Sequence, residues 1–150
     1  MSYMTVTELD DFAVQLFTTA ELEKFGYSSL SASEKEVYLE RVSALFSSLL
    51  WLGEKTVYNS PECFPRLIYG EEVLFGDSLK KGFCGLFMGE LEADKSSRIN
   101  SALMGISSIS TAGVSESYNT SMSAEALKKG LKGYQIAGFY LNQYLYSPLC

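Results

Sequence analysis

The chain has 150 residues, 47% of them apolar and 13% aromatic, and carries a net charge of −6. This is enough for one domain that buries about two thirds of its unfolded surface, while no apolar run reaches the roughly 18 residues of a membrane-spanning helix. The negative charge opposes the counterion release on which tight nucleic-acid binding depends, and the lack of any histidine removes the commonest general base together with every Ser–His or Cys–His pair.

The opening MSYMTVTELDD has neither a basic region nor an apolar block. A secretory signal is therefore not expected, and an intracellular origin is. Thr5-Val6-Thr7-Glu8 has the S/T-x-x-E form of a capping box, and Leu9, Phe12, Ala13, Leu16, Phe17 and Ala20 follow at helical spacing. One helix is predicted from Thr5 to Gly26. A second capping box, Ser31 to Glu34, precedes Tyr38, Val42, Leu45, Phe46, Leu49 and Leu52 on one face, and this helix is expected to stop at Gly53.

From Glu54 to Gly70 the periodicity vanishes, and Pro61 and Pro65 favour extended backbone, so a structured loop is predicted. A third helix is predicted from Glu71 to about Met88, with Phe75, Leu79, Phe83, Leu86 and Phe87 inward. Gly76, Gly82, Gly85 and Gly89 each weaken such a helix by about 1 kcal/mol relative to Ala. Packing must hold it, and the glycines can admit a neighbouring backbone. After a polar stretch, residues 92 to 101, the runs on either side of Thr111-Ala112-Gly113 read as a β-hairpin over about 104–119. A short helix opens at Ser123 to Lys129. The aromatic tail that follows holds Tyr134, Ile136, Phe139, Tyr140, Leu141, Tyr144, Leu145 and Tyr146. So much apolar surface either folds back as a core strand or forms an arm that docks on another protein. The expected fold is mainly α: three or four helices with a hairpin in residues 1–134, and an extended C-terminal arm in 135–150.

No phosphate-cradling glycine motif and no nucleophile elbow occurs. The carboxylate pairs Asp10-Asp11, Glu71-Glu72 and Glu90 with Glu92 read as solvated helix ends, and the alternating oxygen ligands of a calcium loop are missing. Cys63, Cys84 and Cys150 are widely spaced, which fits buried thiols better than a disulfide framework or a zinc site. No enzyme, cofactor or metal is expected.

The stretch LSASEKEVYLERVSALFSSLLWLGEKTVYNSPECFPR carries more information. Leu30 with Glu34, Lys35 and Glu36, then Trp51, Gly53 and Lys55, then Phe64, Pro65 and Arg66 follow the order L-S-x-x-E-K-E, W-x-G-x-K, F-P-R. This resembles the head-tail connector adaptor, or head-completion, proteins of tailed bacteriophages, some of them described as DnaT-like. VTELDDFAVQLF resembles the family's first helix, and ISSISTAGVSESYN with SAEALKKGLKGY resembles its hairpin and short helix, so the likeness spans most of residues 5 to 134. On physical grounds Trp51 would plug one end of the bundle and Phe64-Pro65 would pin the returning loop. Arg66 would then cap carbonyls, pair with an acidic neighbour, or reach a second subunit.

The resemblance implies a virion protein made in the bacterial cytoplasm and seated in the neck. There it forms a ring, usually of twelve copies, beneath the portal protein, extends the DNA channel and offers a surface to a tail-completion or tail-terminator protein. DNA passes without specific binding, hairpins bridge neighbours, and the aromatic arm anchors each subunit to the portal. Two other classes stand beside it: a single-stranded DNA-binding module, suggested by ten tyrosines that could stack bases but lacking a basic groove, and a helical protein-interaction domain unrelated to virions.

Overall fold

The structure is a computed structural model that describes residues 3–57, 63–95, 108–111, 114–117 and 131–146. It is mainly helical, a bundle with a hairpin, in agreement with the pattern above. Its elements in chain order are α1 (Val6–Leu16), α2 (Thr19–Phe25), α3 (Ala32–Ser48), β1 (Glu54–Lys55), β2 (Arg66–Ile68), β3 (Glu71–Val73), α4 (Asp77–Lys95), β4 (Ser108–Thr111), β5 (Val114–Ser117) and α5 (Lys132–Leu141), with a 3-10 turn at Asn142–Tyr144. The expected helix at Ser123 to Lys129 lies outside the described residues. Those of the hairpin that are described, β4 and β5, pair antiparallel, with Ser108 opposite Ser117 and Thr111 opposite Val114.

Both expected capping boxes form: Thr5 accepts from the Glu8 amide and Ser31 from the Glu34 amide, with the glutamates reaching back. The first helix is nevertheless two. Backbone at Phe17 turns extended, and Thr18 opens α2 with a capping box of its own to Glu21. Gly26 ends α2 in the left-handed conformation, as expected. The second predicted helix also ends early, at Ser48 instead of Gly53, because Leu49 is extended and Trp51 joins a β-bridge to Leu145.

The segment expected as a loop holds strands. β1, β2 and β3 form an antiparallel sheet in that order, and β2 and β3 are joined by Tyr69 and Gly70, with φ of 52° and 81°. Positive φ at both central residues gives the two-residue turn whose twist suits a hairpin. Glu71 to Val73 is therefore strand, and the third predicted helix starts at Asp77 and runs on to Lys95, past Met88 and into the stretch expected to be polar loop.

Residues 82–91 of α4 are buried on all sides, as a helix inside a bundle must be, and α1, α2, α3 and α5 all pack on it. The inward side chains of α3 are Leu39, Val42, Ser43 and Phe46, at i, i+3, i+4 and i+7. Phe46 lies at the centre of an aromatic cluster with Tyr3, Trp51, Phe64, Phe75 and Phe83, ring centroids 4.6–6.1 Å from its own.

The C-terminal segment is the largest departure from expectation. It is neither a strand nor an extended arm over residues 132–141 but the helix α5, lying against α4. The glycines of α4 make this possible: a Cβ on Gly85 would sit 2.7 Å from the Ala137 amide nitrogen and 2.9 Å from the Gly133 carbonyl oxygen. One on Gly133 would run into the Gly89 backbone. Close approach of two backbones requires residues without side chains at the crossing. The division drawn between residues 134 and 135 thus falls within α5, and Tyr134 on one side shares a core with Leu141 on the other.

Candidate functional site

The two groups of residues singled out in the sequence come together. Trp51 is buried, donates its indole N–H to the Phe46 carbonyl at 2.8 Å, and stacks edge-on against Phe64 at 5.0 Å. Beside it the chain runs antiparallel to the C-terminal segment: the Leu52 amide donates to the Tyr144 carbonyl at 2.8 Å and the Tyr146 amide to the Leu50 carbonyl at 2.9 Å. Strand alternation then sends Trp51 and Leu145 inward and Leu50 and Tyr146 outward. Leu50 is 64% exposed and Tyr146 71%.

Arg66 closes the junction. Its Nε donates to the Leu52 carbonyl at 2.9 Å and its terminal nitrogens to the carbonyls of Gly53 at 2.8 Å and Cys63 at 3.4 Å. Of the roles considered for it, capping carbonyls is the one these contacts show, and five fixed donors suit the guanidinium to it. Gly53 is left-handed, φ 71°, and a Cβ there would overlap the Leu67 carbonyl, so glycine is required twice over, although in a turn and not at a helix end. Lys55 lies opposite Arg66 in the β1–β2 ladder, and the Pro65 carbonyl accepts from the Thr56 amide at 3.1 Å. The Phe64–Pro65 peptide is cis.

The eight residues proposed for docking divide by burial. Tyr134, Leu141 and Leu145 are buried, Ile136, Tyr140 and Tyr144 half-buried, and only Phe139 and Tyr146 stand out, Phe139 at 81%. Tyr134 donates its hydroxyl to buried Glu90 at 2.5 Å, and Arg41 lies 3.6 Å from the same carboxylate. Burial first, then the hydrogen bond to Glu90 and its charge, hold the Tyr134 phenol above its ordinary range. Arg41 also donates to Asp94 at 3.0 Å, where Tyr38 donates at 2.7 Å. These contacts tie α3, α4 and α5 together through a polar network that the spacing of carboxylates did not disclose.

Glu92 has a related role. The α5 N-cap, Leu131, offers no side-chain acceptor, and Glu92 of α4 accepts from the Lys132 amide instead. Burial is the main influence on its carboxyl and raises it above the usual carboxylate range; the nearby Lys24 charge and the Lys132 amide oppose that shift. Its Oε1 is buried with no hydrogen-bond partner. Glu8 behaves oppositely: the hydrogen bond from Lys80, 2.6 Å, holds its carboxyl below the usual range. The thiol of Cys84, enclosed in α4, is pushed up to about 12 by burial, which leaves it protonated and inert.

Sequence reasoning missed Tyr3, whose hydroxyl accepts from the Cys63 amide at 2.8 Å and lies 2.8 Å from the Ser47 hydroxyl, pinning the chain start to the junction. It also missed Val37, an exposed apolar residue of α3. The only signal for it was an apolar residue falling off the inward stripe. Among the described residues no group of three or more His, Cys, Asp and Glu side chains is placed to hold a metal ion, and no helix is long and apolar enough to cross a membrane. No protein-family model, no curated protein and no solved structure matches the chain.

Proposed function

We propose that this chain is a structural subunit of a tailed-phage head-tail connector, one of a ring of copies that extends the DNA channel beneath the portal. The observation that carries the reading is the junction. Trp51, Gly53, Phe64, Pro65 and Arg66 are the residues of the resemblance, and each is spent on packing or on capping one interlocked corner. Such an interlocked corner makes a stiff subunit. A stiff subunit with a net charge of −6 suits a wall past which DNA slides without adhering.

Phe139, Tyr146 and Leu50 then serve as fixed apolar contact points for the portal or the tail, in place of a detachable arm. Reconstruction of the neck of virions that encode this chain tests the reading. The expected result is a ring of subunits of 16.6 kDa at the head-tail interface into which this fold fits. Mature virions without the chain would overturn it.

A further inference from the structure

Tyr69 and Gly70 form the tip of the β2–β3 hairpin, and Tyr69 takes a positive φ of 52°. A residue with a Cβ is uncommon there, and Gly or Asn would sit with less strain. The ring gains nothing inside the subunit in return, for Tyr69 is 88% exposed. Strain held by an exposed side chain points to a use outside the chain. Glu71 and Glu72, both exposed, follow the tip. The hairpin therefore presents an aromatic ring beside two carboxylates.

A surface of opposite charge lies on α4 and α5. Phe139 is exposed and packs edge-on against half-buried Tyr140, ring centroids 5.0 Å apart. The ammonium of Lys81 lies over the Tyr140 ring, 5.8 Å from its centroid. Among the described residues Lys35, Lys80 and Lys132 each pair with a carboxylate and Arg41 with two, whereas Lys81 pairs with none. The patch is aromatic and cationic where the hairpin tip is aromatic and anionic. Exposed Val37 of α3 is a poorer seat for the tip, because Glu36 beside it would face Glu71 and Glu72 with like charge.

We infer that the β2–β3 hairpin of one copy docks on the Lys81, Phe139 and Tyr140 patch of a second copy, with Tyr69 against the two rings and Glu71 or Glu72 against Lys81. The inference rests on the connector reading and refines it: Phe139 faces the next copy, and Leu50 and Tyr146 are left for the portal or the tail. Tip and patch are different surfaces, so the contact can pass from copy to copy around a ring when the rotation permits. Aromatic rings pack edge-on or offset, which two exposed rings can reach without disturbing a core. The exposed charges orient the contact more than they hold it, and salt weakens them.

The test places a photoreactive benzophenone amino acid at position 69 of the full chain and irradiates a mixture of isotopically heavy and light copies at low salt. Hybrid-mass cross-links to peptides holding Lys81, Phe139 or Tyr140 are expected. Their yield should fall about fivefold or more in K81E, where an attraction becomes a repulsion, and recover when E71K/E72K is added to the same chain. Circular dichroism checks that each variant is folded. Without the cross-linker, Y69N should relieve the turn, so that the unfolding midpoint does not fall while self-association in sedimentation weakens by about fivefold or more. Cross-links confined to one copy, cross-links to other segments, undiminished yield in folded K81E, or a Y69N chain that associates like wild type would each overturn the inference. So would the absence of any protein cross-link, the result expected if only the portal or the tail covers the patch. Sedimentation also separates the two readings. Rings without this cross-link remove only the hairpin contact, whereas the cross-link in a species that never exceeds a closed dimer removes the connector ring and leaves the contact.

Discussion

Where α4 meets α5, Gly85, Gly89 and Gly133 clear the crossing and backbone approaches backbone. Where α1 meets α3, side chains such as Leu39 and Met4 make the approach, and a cleft of about 820 Å³ is left at the surface. One pairing leaves no space for a partner and fixes the C-terminal segment as part of the core; the other is open, acidic and apolar. The difference shows that close packing in this chain belongs to one helix pair and open surface to another.

The comparison breaks most completely if α5 is removed. Truncation after Tyr134 takes away Ala137, Leu141 and Leu145, all buried, and should abolish the cooperative unfolding transition seen by circular dichroism; a truncated chain that still melts cooperatively would mean that α5 is dispensable. Next in size is Trp51→Ala, which removes a buried aromatic and should cost about 3–5 kcal/mol in denaturant unfolding. Gly85→Ala forces a methyl against the Ala137 and Gly133 backbones, and overpacking of this kind costs about 1–3 kcal/mol. The expected fall in unfolding midpoint should be absent from Gly76→Ala, where a Cβ meets nothing within 4 Å.

Glu92→Gln sharpens the comparison through pH. Because burial raises the folded-state carboxyl above its unfolded value, the native protein prefers the protonated form, and the wild type loses stability as pH rises through that folded value. The glutamine variant should therefore melt higher than wild type at pH 7, with the gap closing as the pH is lowered and wild-type Glu92 takes up its proton. A gap independent of pH would remove the burial argument. The smallest effect is expected for Phe139→Ser, at an 81% exposed site, within about 0.5 kcal/mol of wild type, while any effect on assembly would mark Phe139 as a contact point.

What the sequence disclosed followed local physics. The capping boxes at Thr5 and Ser31 and the pairing of β4 with β5 are set by nearby residues, whereas the Arg66 contacts, which select one of the roles open to it, reach carbonyls 13 and 14 residues back. The break at Phe17 was also local, since Thr18 and Glu21 spell a third capping box, but the apolar stripe from Leu9 to Ala20 runs straight through it. The remaining departures were decided at a distance. Leu49 to Leu52 continue the helical pattern and leave it because Trp51 pairs with Leu145, and Tyr69 takes a positive φ that favours Gly or Asn. The Tyr, Phe and Ile of α5 favour strands in isolation. They are helical where a glycine-lined groove on α4, more than forty residues earlier, accepts a helix.

Native-state hydrogen exchange of the full chain tests most directly whether the C-terminal segment and the Trp51 corner belong to one rigid unit. The account predicts that the amides of Gln135 to Leu141, together with those of Leu52 and Tyr146, exchange as slowly as the centre of α4 and only through global opening. Rapid exchange across α5 and at Tyr146, with α4 still protected, would contradict it.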